Sequence, residues 1–335
     1  MTILMLTRLF YPHIGGVEKH VEEVSARLAE KGHQITVVTL KHKRGLAEIA
    51  SHRGIKIVRL PYSNSKWGIW LNLWRRRSLI QKADLVHCHD VFFWYLPFSF
   101  LYPKKPVFTT FHGWEGKFPV PAKNKLARKI WESLSSGNIC VGDYLINHYG
   151  TKAGAVTYGG IDVSIHQNFI GGRGLREVIF IGRLEPDLAV SEYLKALKQI
   201  KARYNLKITF VGDGSLRGQA EKLGQVTGLV KDIGKFLNRP AYIFASSYLT
   251  ILEAMARRRP VFALYQNPLK KDYLTLFPGA KFIFIAGSAS QLVSQFESAR
   301  NKPRKIDKMI EAAYRFAQGQ TWDKVVDDYL RLWKS

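Results

Sequence analysis

The feature that most constrains this chain is its opening. An apolar run from Met1 to Thr7 leads through a loop ending in Gly15-Gly16 into a segment, Val17 to Leu28, whose apolar residues recur at helical spacing. Val17, Val21, Val24, Leu28 and Ala29 form one stripe, as on a helix that covers a sheet. Gly32 ends that helix, and Gln34 to Thr39 reads as the next buried strand. Strand, helix and strand in this order make a crossover in a parallel sheet, and such sheets take ligands at the carboxyl ends of their strands. The loop suits that role. Gly15 and Gly16 have no Cβ to hold a ligand off, and the following helix aims unpaired N–H groups and its positive dipole end at the loop. An ordinary strand-to-helix turn accounts for the same two glycines.

With 335 residues the chain exceeds what one core usually supports, and its 46% hydrophobic content is enough to fill two. Strand-like runs follow at Ile55 to Leu60, Leu85 to Cys88, Val107 to Phe111 and Gly137 to Val141. A loop-like stretch bounded by Gly159-Gly160 and Gly171-Gly-Arg-Gly174 is the expected linker. The pattern then restarts with a strand at Glu177 to Ile181, a Gly182-Arg183 turn and a helix from Ser191 to Tyr204. Leu206 to Val211 leads into Gly212-Asp-Gly214, and Ala241 to Ala245 leads into the helix Tyr248 to Ala256. The expected fold class is α/β, two Rossmann-like parallel-sheet domains facing a cleft. Residues 1–165 form the first and 174–315 the second, with a final helix in 316–335 packing back on the first through Val325, Val326, Tyr329, Leu332 and Trp333.

Two features bear on chemistry. His112 follows the strand Val107 to Phe111 directly, which sets an imidazole at the ligand-binding edge of a parallel sheet; a satisfied loop histidine would look the same. Cys88 lies between His87 and His89, but strand alternation sends neighbours to opposite faces, so no metal site is expected. Cys88 and Cys140 read as reduced core residues. No apolar run reaches the roughly 18 to 20 residues that span a bilayer, and the N-terminus lacks a signal-peptide layout, so a cytoplasmic protein is expected.

Charge is the other strong clue, since 51 basic against 26 acidic residues leave a formal +25. Nucleic acid, a membrane surface and phosphorylated substrates would each be served by such a field. Lys66 to Ile80 favours the membrane. Trp67, Trp70, Leu71 and Trp74 share one helical face, and Arg75, Arg76 and Arg77 cluster at its end, a combination suited to an interface with lipid phosphates. A helix packed on its own domain with a solvated basic end is the other reading. Lys123 to Lys129 with Trp131, and Phe92 to Tyr95, add basic and aromatic weight. No zinc knuckle, RRM-type aromatic motif or basic helix-turn-helix signature appears, so no nucleic acid is expected.

Phe10-Tyr-Pro-His-Ile-Gly-Gly-Val-Glu-Lys-His20 with Gly32-His33, then His112-Gly113, Gly182-Arg-Leu184, Gly212-Asp-Gly214 and Leu252-Glu-Ala-Met-Ala256 before Pro260-Val261, occur in an order that spans nearly the whole chain. In these motifs the chain resembles the family 4 glycosyltransferases. The resemblance implies the GT-B fold and a retaining hexosyltransferase of glycan biosynthesis. A nucleotide-sugar donor, a UDP- or GDP-sugar, would occupy the cleft, with no metal and no cofactor. A lipid-linked or glycan acceptor is expected, and the tryptophan and arginine segment makes the inner, anionic membrane face the expected place of attachment. Carried over by position, Arg183 pairs with the donor diphosphate, Gly15 and Gly16 let it approach the backbone, Gly212 lines the donor site, and Leu249 and Thr250 offer amides. Glu253 accepts from the ribose, and His112, with Arg183, serves the reacting centre. Glu18 falls with Trp67, Trp70, Trp74, Arg75, Arg76 and Arg77 on the acceptor or membrane side.

Two positions depart from the pattern. Leu188 stands where the family carries a lysine, and Ala245 stands where it carries its first glutamate. The departures leave open an altered donor, a substitute cation such as Lys195 or Lys270, or a weak or inactive catalyst that serves as a basic membrane- or nucleic-acid-binding module.

Overall fold

The computed structural model describes residues 1–63, 65–114, 116–162 and 175–334; the expected linker glycines Gly171 to Gly174 lie outside them. The chain divides into two compact units, Met1–Thr157 with Trp322–Ser335, and Tyr158–Thr321.

The first unit is built on strands β1 (Thr2–Thr7), β2 (Gln34–Leu40), β3 (Ile49–His52), β4 (Ile55–Leu60), β5 (Leu85–His89), β6 (Val107–Phe111), β7 (Gly137–Val141) and β8 (Ala155–Thr157). Their spatial order is β3-β4-β2-β1-β5-β6-β7-β8. Every neighbouring pair is parallel except β3 with β4. Ile3, Met5 and Leu6 of β1 are fully buried, as a central strand covered on both faces requires. The helix Gly16–Glu30 buries Val21, Val24 and Leu28, the three- and four-residue stripe of its sequence. Each such side chain contributes about 1.5–3 kcal/mol by leaving water, so a charge at Val24 would detach the helix. From β1 the chain runs to β2 and β4 on one side, and from β5 to β8 on the other. The connections diverge between β1 and β5, the point at which open parallel sheets take their ligands.

The second unit repeats the scheme with β9 (Glu177–Ile181), β10 (Lys207–Val211), β11 (Gln225–Val226), β12 (Ala241–Phe244), β13 (Val261–Leu264) and β14 (Phe284–Ala286). They lie in the order β11-β10-β9-β12-β13-β14, all parallel. The reversal falls between β9 and β12. The loops on either side of it are the Gly182-Arg183 turn and the entry to the helix Tyr248–Ala256.

The tryptophan segment is a helix, Lys66–Arg75, capped by Ser65, whose hydroxyl accepts from the Gly68 N–H at 3.4 Å. Its buried residues are Ile69 and Leu73. Trp67, 78% exposed, with Leu71 and Trp74 faces solvent. Trp70 does not share that face: it is half-buried and its indole N–H donates to the Phe93 carbonyl at 2.7 Å. The arginines divide too. Arg76 ends the helix and pairs with Glu48, whereas Arg75 and Arg77 are exposed, the Arg77 guanidinium lying 5.0 Å from the Trp74 ring. Among the described residues, no helix is long and apolar enough to cross a membrane.

Candidate active site

At the reversal point of the first unit the side chains are imidazoles. His89 closes β5, and Asp90 follows it in the left-handed region at φ 58°, so that its Oδ1 accepts from the His112 N–H at 3.0 Å. His89 Nδ1 lies 2.9 Å from His112 Nε2. His20, from the first helix, packs edge-on against His112 at 4.8 Å and joins the Tyr329 hydroxyl at 2.9 Å. His87 lies 4.9 Å from His89. Burial holds all four rings below their ordinary range: His20 and His87 fall to about 3, and His89 and His112 well below 6.5, with neighbouring imidazoles adding to the effect on the last three. The cluster is therefore neutral at pH 7, each ring offering one donor and one acceptor. His112 Nδ1 has no partner among the described residues, so the strand-end histidine turns one nitrogen inward and leaves the other available. Cys88 points the other way, into the apolar core of the opposite face. No group of three or more His, Cys, Asp or Glu among the described residues is arranged to hold a metal ion.

In the glycine loop, Gly15 lies against the flexible carboxylate end of Glu18. A Cβ there would meet Glu18 Oε2 at 2.1 Å, and the same carboxylate lies 2.9 Å from His13 Nδ1. Gly16 opens on empty space. The buried Arg59 ties the loop down, donating to the Tyr11 carbonyl at 2.8 Å and to the Ala47 carbonyl at 2.9 Å. Glu18 thus puts a negative charge beside this loop, which suits hydroxyls better than phosphate.

The reversal point of the second unit carries cations. Arg183 is exposed, and its guanidinium donates to Asp187 Oδ2 at 2.9 Å. Leu188, where a lysine is expected by resemblance, is half-buried and packs on the apolar core, and Ala245 is fully buried, so neither side chain offers a charge or a hydrogen bond to a ligand. Lys195 is exposed and paired with Glu192 at 2.6 Å. Lys270 differs: it is 8% exposed, lies 4.2 Å from the Tyr273 ring and has no carboxylate within ion-pairing distance among the described residues. Burial pulls its ammonium down to about 8; Asp187 favours the charged form and Arg183 opposes it, which sets Lys270 among these two side chains. The Gln266 amide donates to the Pro186 carbonyl at 3.0 Å and joins the same two loops.

Gly212 is explained by packing, since a Cβ there would lie 1.9 Å from the Gly182 carbonyl oxygen. Tyr248, stacked on Tyr273 at 3.9 Å, begins the helix that follows β12, and Leu249 and Thr250 lie in its first turn, whose N–H groups have no carbonyl ahead of them in the helix. Glu253 is buried, and its Oε2 accepts from Arg257 at 3.3 Å.

Residues 14–165 match the model of glycosyltransferase family 4, and residues 176–272 that of glycosyl transferases group 1. The chain belongs to the family 4 glycosyltransferases. Its fold is GT-B, as in the structure of Alr3699/HepE from Anabaena in complex with UDP and glucose, to which it is similar with a TM-score of 0.75 and 15% identity over 99% of each chain. A protein of the cps region of Klebsiella pneumoniae is 42% identical over 93 residues, 28% of this chain and 24% of the relative. The GDP-mannose:cellobiosyl-diphosphopolyprenol alpha-mannosyltransferase of Xanthomonas campestris is 29% identical over 140 residues, 39% of this chain and 35% of the relative. The chain thus spans well under half of the length of these two relatives in the matched stretches.

For this family 4 glycosyltransferase the residues named from sequence separate into two sets. Gly15, Gly16, Glu18 and His112 belong to the first unit, and Arg183, Gly212, Leu249, Thr250 and Glu253 to the second. Sequence reasoning missed His20, His89, Asp90 and Tyr329 around His112, and Asp187 beside Arg183. One signal could have found His89 and Asp90: they end their strand just as His112 follows the end of β6.

Proposed function

We propose that this glycosyltransferase moves a hexosyl unit from a UDP- or GDP-sugar to a lipid-linked or glycan acceptor, with retention of configuration, at the inner face of an anionic membrane. The observation that carries the reading is Lys270, a buried ammonium beside Arg183 with no carboxylate paired to it. A cation is kept out of water at a cost unless an anion completes it, and a diphosphate supplies that charge. Lys270 thereby takes over the task for which Leu188 and Lys195 are unsuited.

Departure of the nucleoside diphosphate builds negative charge on its terminal phosphate. Arg183, turning from Asp187, Lys270, and the first-turn amides of the helix Tyr248–Ala256 stabilise that charge. Glu253 accepts from the ribose hydroxyls. His112 offers Nδ1 to a sugar hydroxyl, and a neutral imidazole does not repel the positive charge that develops on the sugar ring. Trp67, Leu71 and Trp74 with Arg75 and Arg77 form the membrane contact. The diphosphopolyprenol in the name of the Xanthomonas relative supports a lipid-linked acceptor, and the UDP of the Anabaena complex supports the donor class.

Calorimetric titration with UDP and with GDP tests the reading. One of the two binds the wild type, and Arg183→Ala and Lys270→Met each weaken it by about 1.5–3 kcal/mol, the contribution of one charge-assisted contact. Absence of binding to the wild type overturns the donor assignment; equal affinity in Lys270→Met removes Lys270 from it.

A further inference from the structure

The helix Trp322–Lys334 packs within the first unit and supplies polar groups to the histidine cluster. An indole N–H can only donate, and Trp333 Nε1 lies 3.0 Å from His87 Nδ1. His87 Nδ1 must therefore accept. In a neutral ring the proton then sits on Nε2, 2.7 Å from Thr110 Oγ1. With that oxygen accepting from His87, the Thr110 hydrogen goes to the Tyr329 oxygen at 2.8 Å, and the Tyr329 hydrogen goes to His20 Nε2 at 2.9 Å. His20 is left with its proton on Nδ1. One donor-only group at the end of the chain thus dictates every proton position along Trp333, His87, Thr110, Tyr329 and His20. Burial of both imidazoles keeps them neutral, so that the sequence has a single direction.

The end of this chain of bonds is in contact with His112. The His20 ring stands at 86° to the His112 ring, and Trp322 closes its other side at 5.5 Å. His112 is held on the inward side by His89 Nδ1, whose partner nitrogen, Nε2, is buried with no hydrogen bond. His112 therefore owes its orientation to the Asp90 contact, to His89 and to the His20 ring.

We propose that Trp333 and Tyr329 are positioning residues: they lock the tautomers of His87 and His20 and so brace His112 with Nδ1 free for the substrate. The inference rests on the proposed role of His112 only for its catalytic consequence. Nitrogen NMR of the full chain labelled with ¹⁵N-histidine reads the tautomers without any donor. In the wild type His87 is protonated on Nε2 and His20 on Nδ1. Trp333→Phe keeps an aromatic ring and removes the donor, and His87 becomes a mixture of tautomers. Tyr329→Phe releases His20 and shifts the His112 resonances. Thr110→Val, which preserves shape, breaks the same chain of bonds and provides a second test should either aromatic variant fail to fold.

In turnover assays with the nucleotide sugar that binds, Tyr329→Phe lowers kcat by about tenfold to a hundredfold at unchanged donor KM, the signature of a misplaced reacting group. A wild-type His87 protonated on Nδ1, or a His20 tautomer unaffected by Tyr329→Phe, overturns the proposal. So does unchanged His112 behaviour, in spectrum and in turnover, when the His20 tautomer has moved. A chain that binds no nucleotide would refute the donor assignment and leave the tautomer result standing.

Discussion

Around the carboxyl ends of β1, β5 and β6 the first unit gathers four imidazoles, whereas beyond the ends of β9 and β13 the second sets Arg183 and Lys270 and has no histidine among its described residues. The backbone scheme is shared; the chemistry is not. Permanent or nearly permanent cations suit a ligand that is charged throughout, such as a diphosphate. Neutral imidazoles suit a centre where hydroxyls are read and positive charge is transient. The environments agree with this division. The imidazoles pack edge-on or tilted against one another and against Tyr329, in a burial that keeps protons off, while Arg183 stands in solvent and Lys270 keeps its charge at neutral pH although buried.

The largest expected effect separates the units by pH. His20 and His87 titrate near 6.5 when unfolded and at about 3 when folded, so below pH 6.5 the unfolded chain binds more protons. The stability of the first unit is complete above pH 6.5 and is lost as pH falls toward 3. At pH 5 the loss is about 2 kcal/mol for each ring. Hydrogen exchange at pH 7 and pH 5 should show the protection of β1, β5 and β6 falling well before that of β9, β10 and β12. A uniform loss across both sheets would erase the distinction.

Next in size is the response of donor binding to alkali. Burial pulls the folded pKa of Lys270 to about 8 against 10.5 for an ordinary lysine, with Asp187 and Arg183 the charges that act on it and the Tyr273 ring against it. Without ligand the folded state holds fewer protons between pH 8 and 10.5, so this lysine makes stability rise with pH across that window. The diphosphate needs the ammonium, so nucleotide affinity should fall as pH rises through about 8, with proton uptake on binding near that pH. Lys270→Arg should bind without that fall. A pH-independent wild-type affinity between pH 7 and 9 would assign the phosphate contact to Arg183 and the helix amides alone.

These contrasts also mark what could be read in advance. The strand-helix-strand opening was legible because period and punctuation agree: the stripe Val21, Val24, Leu28 and the stop at Gly32 act within a dozen residues. The restart at Glu177 was legible for the same reason. Short edge strands such as Ile49–His52 and Phe284–Ala286 carry too few residues for a period to appear. The surroundings of His112 were not legible, because His20 and Tyr329, joined by one hydrogen bond, are 309 residues apart. Lys270 shares the buried face of its helix with Leu269 and Leu274 while Lys271 does not, but eight residues are too few for that period to stand out in the sequence. In the tryptophan helix, spacing put Trp70 with Trp67 and Trp74, but the Phe93 carbonyl, reachable only in the folded unit, draws its indole inward.

The smallest effect tests what each unit does with its positive charge. In the second unit cations are proposed to hold a ligand; in the first, Arg75 and Arg77 flank exposed Trp67, Leu71 and Trp74 without a carboxylate partner among the described residues, as a lipid surface requires. Each basic residue near an anionic bilayer contributes about 1 kcal/mol, screened over a Debye length of roughly 10 Å at 0.1 M salt. Arg75→Gln with Arg77→Gln should thus weaken co-sedimentation with phosphatidylserine-containing vesicles by about 2 kcal/mol, and wild-type binding should decline as salt rises. Arg76→Gln, which removes a residue tied to Glu48, should change vesicle binding less, because its charge is already compensated. UDP or GDP affinity should be the same in all of these variants, since the substitutions lie in the first unit and the proposed phosphate contacts in the second. Equal sedimentation of the wild type and the double variant would return the tryptophan face to packing or to another partner, and would leave the basic surplus of the first unit without a membrane role.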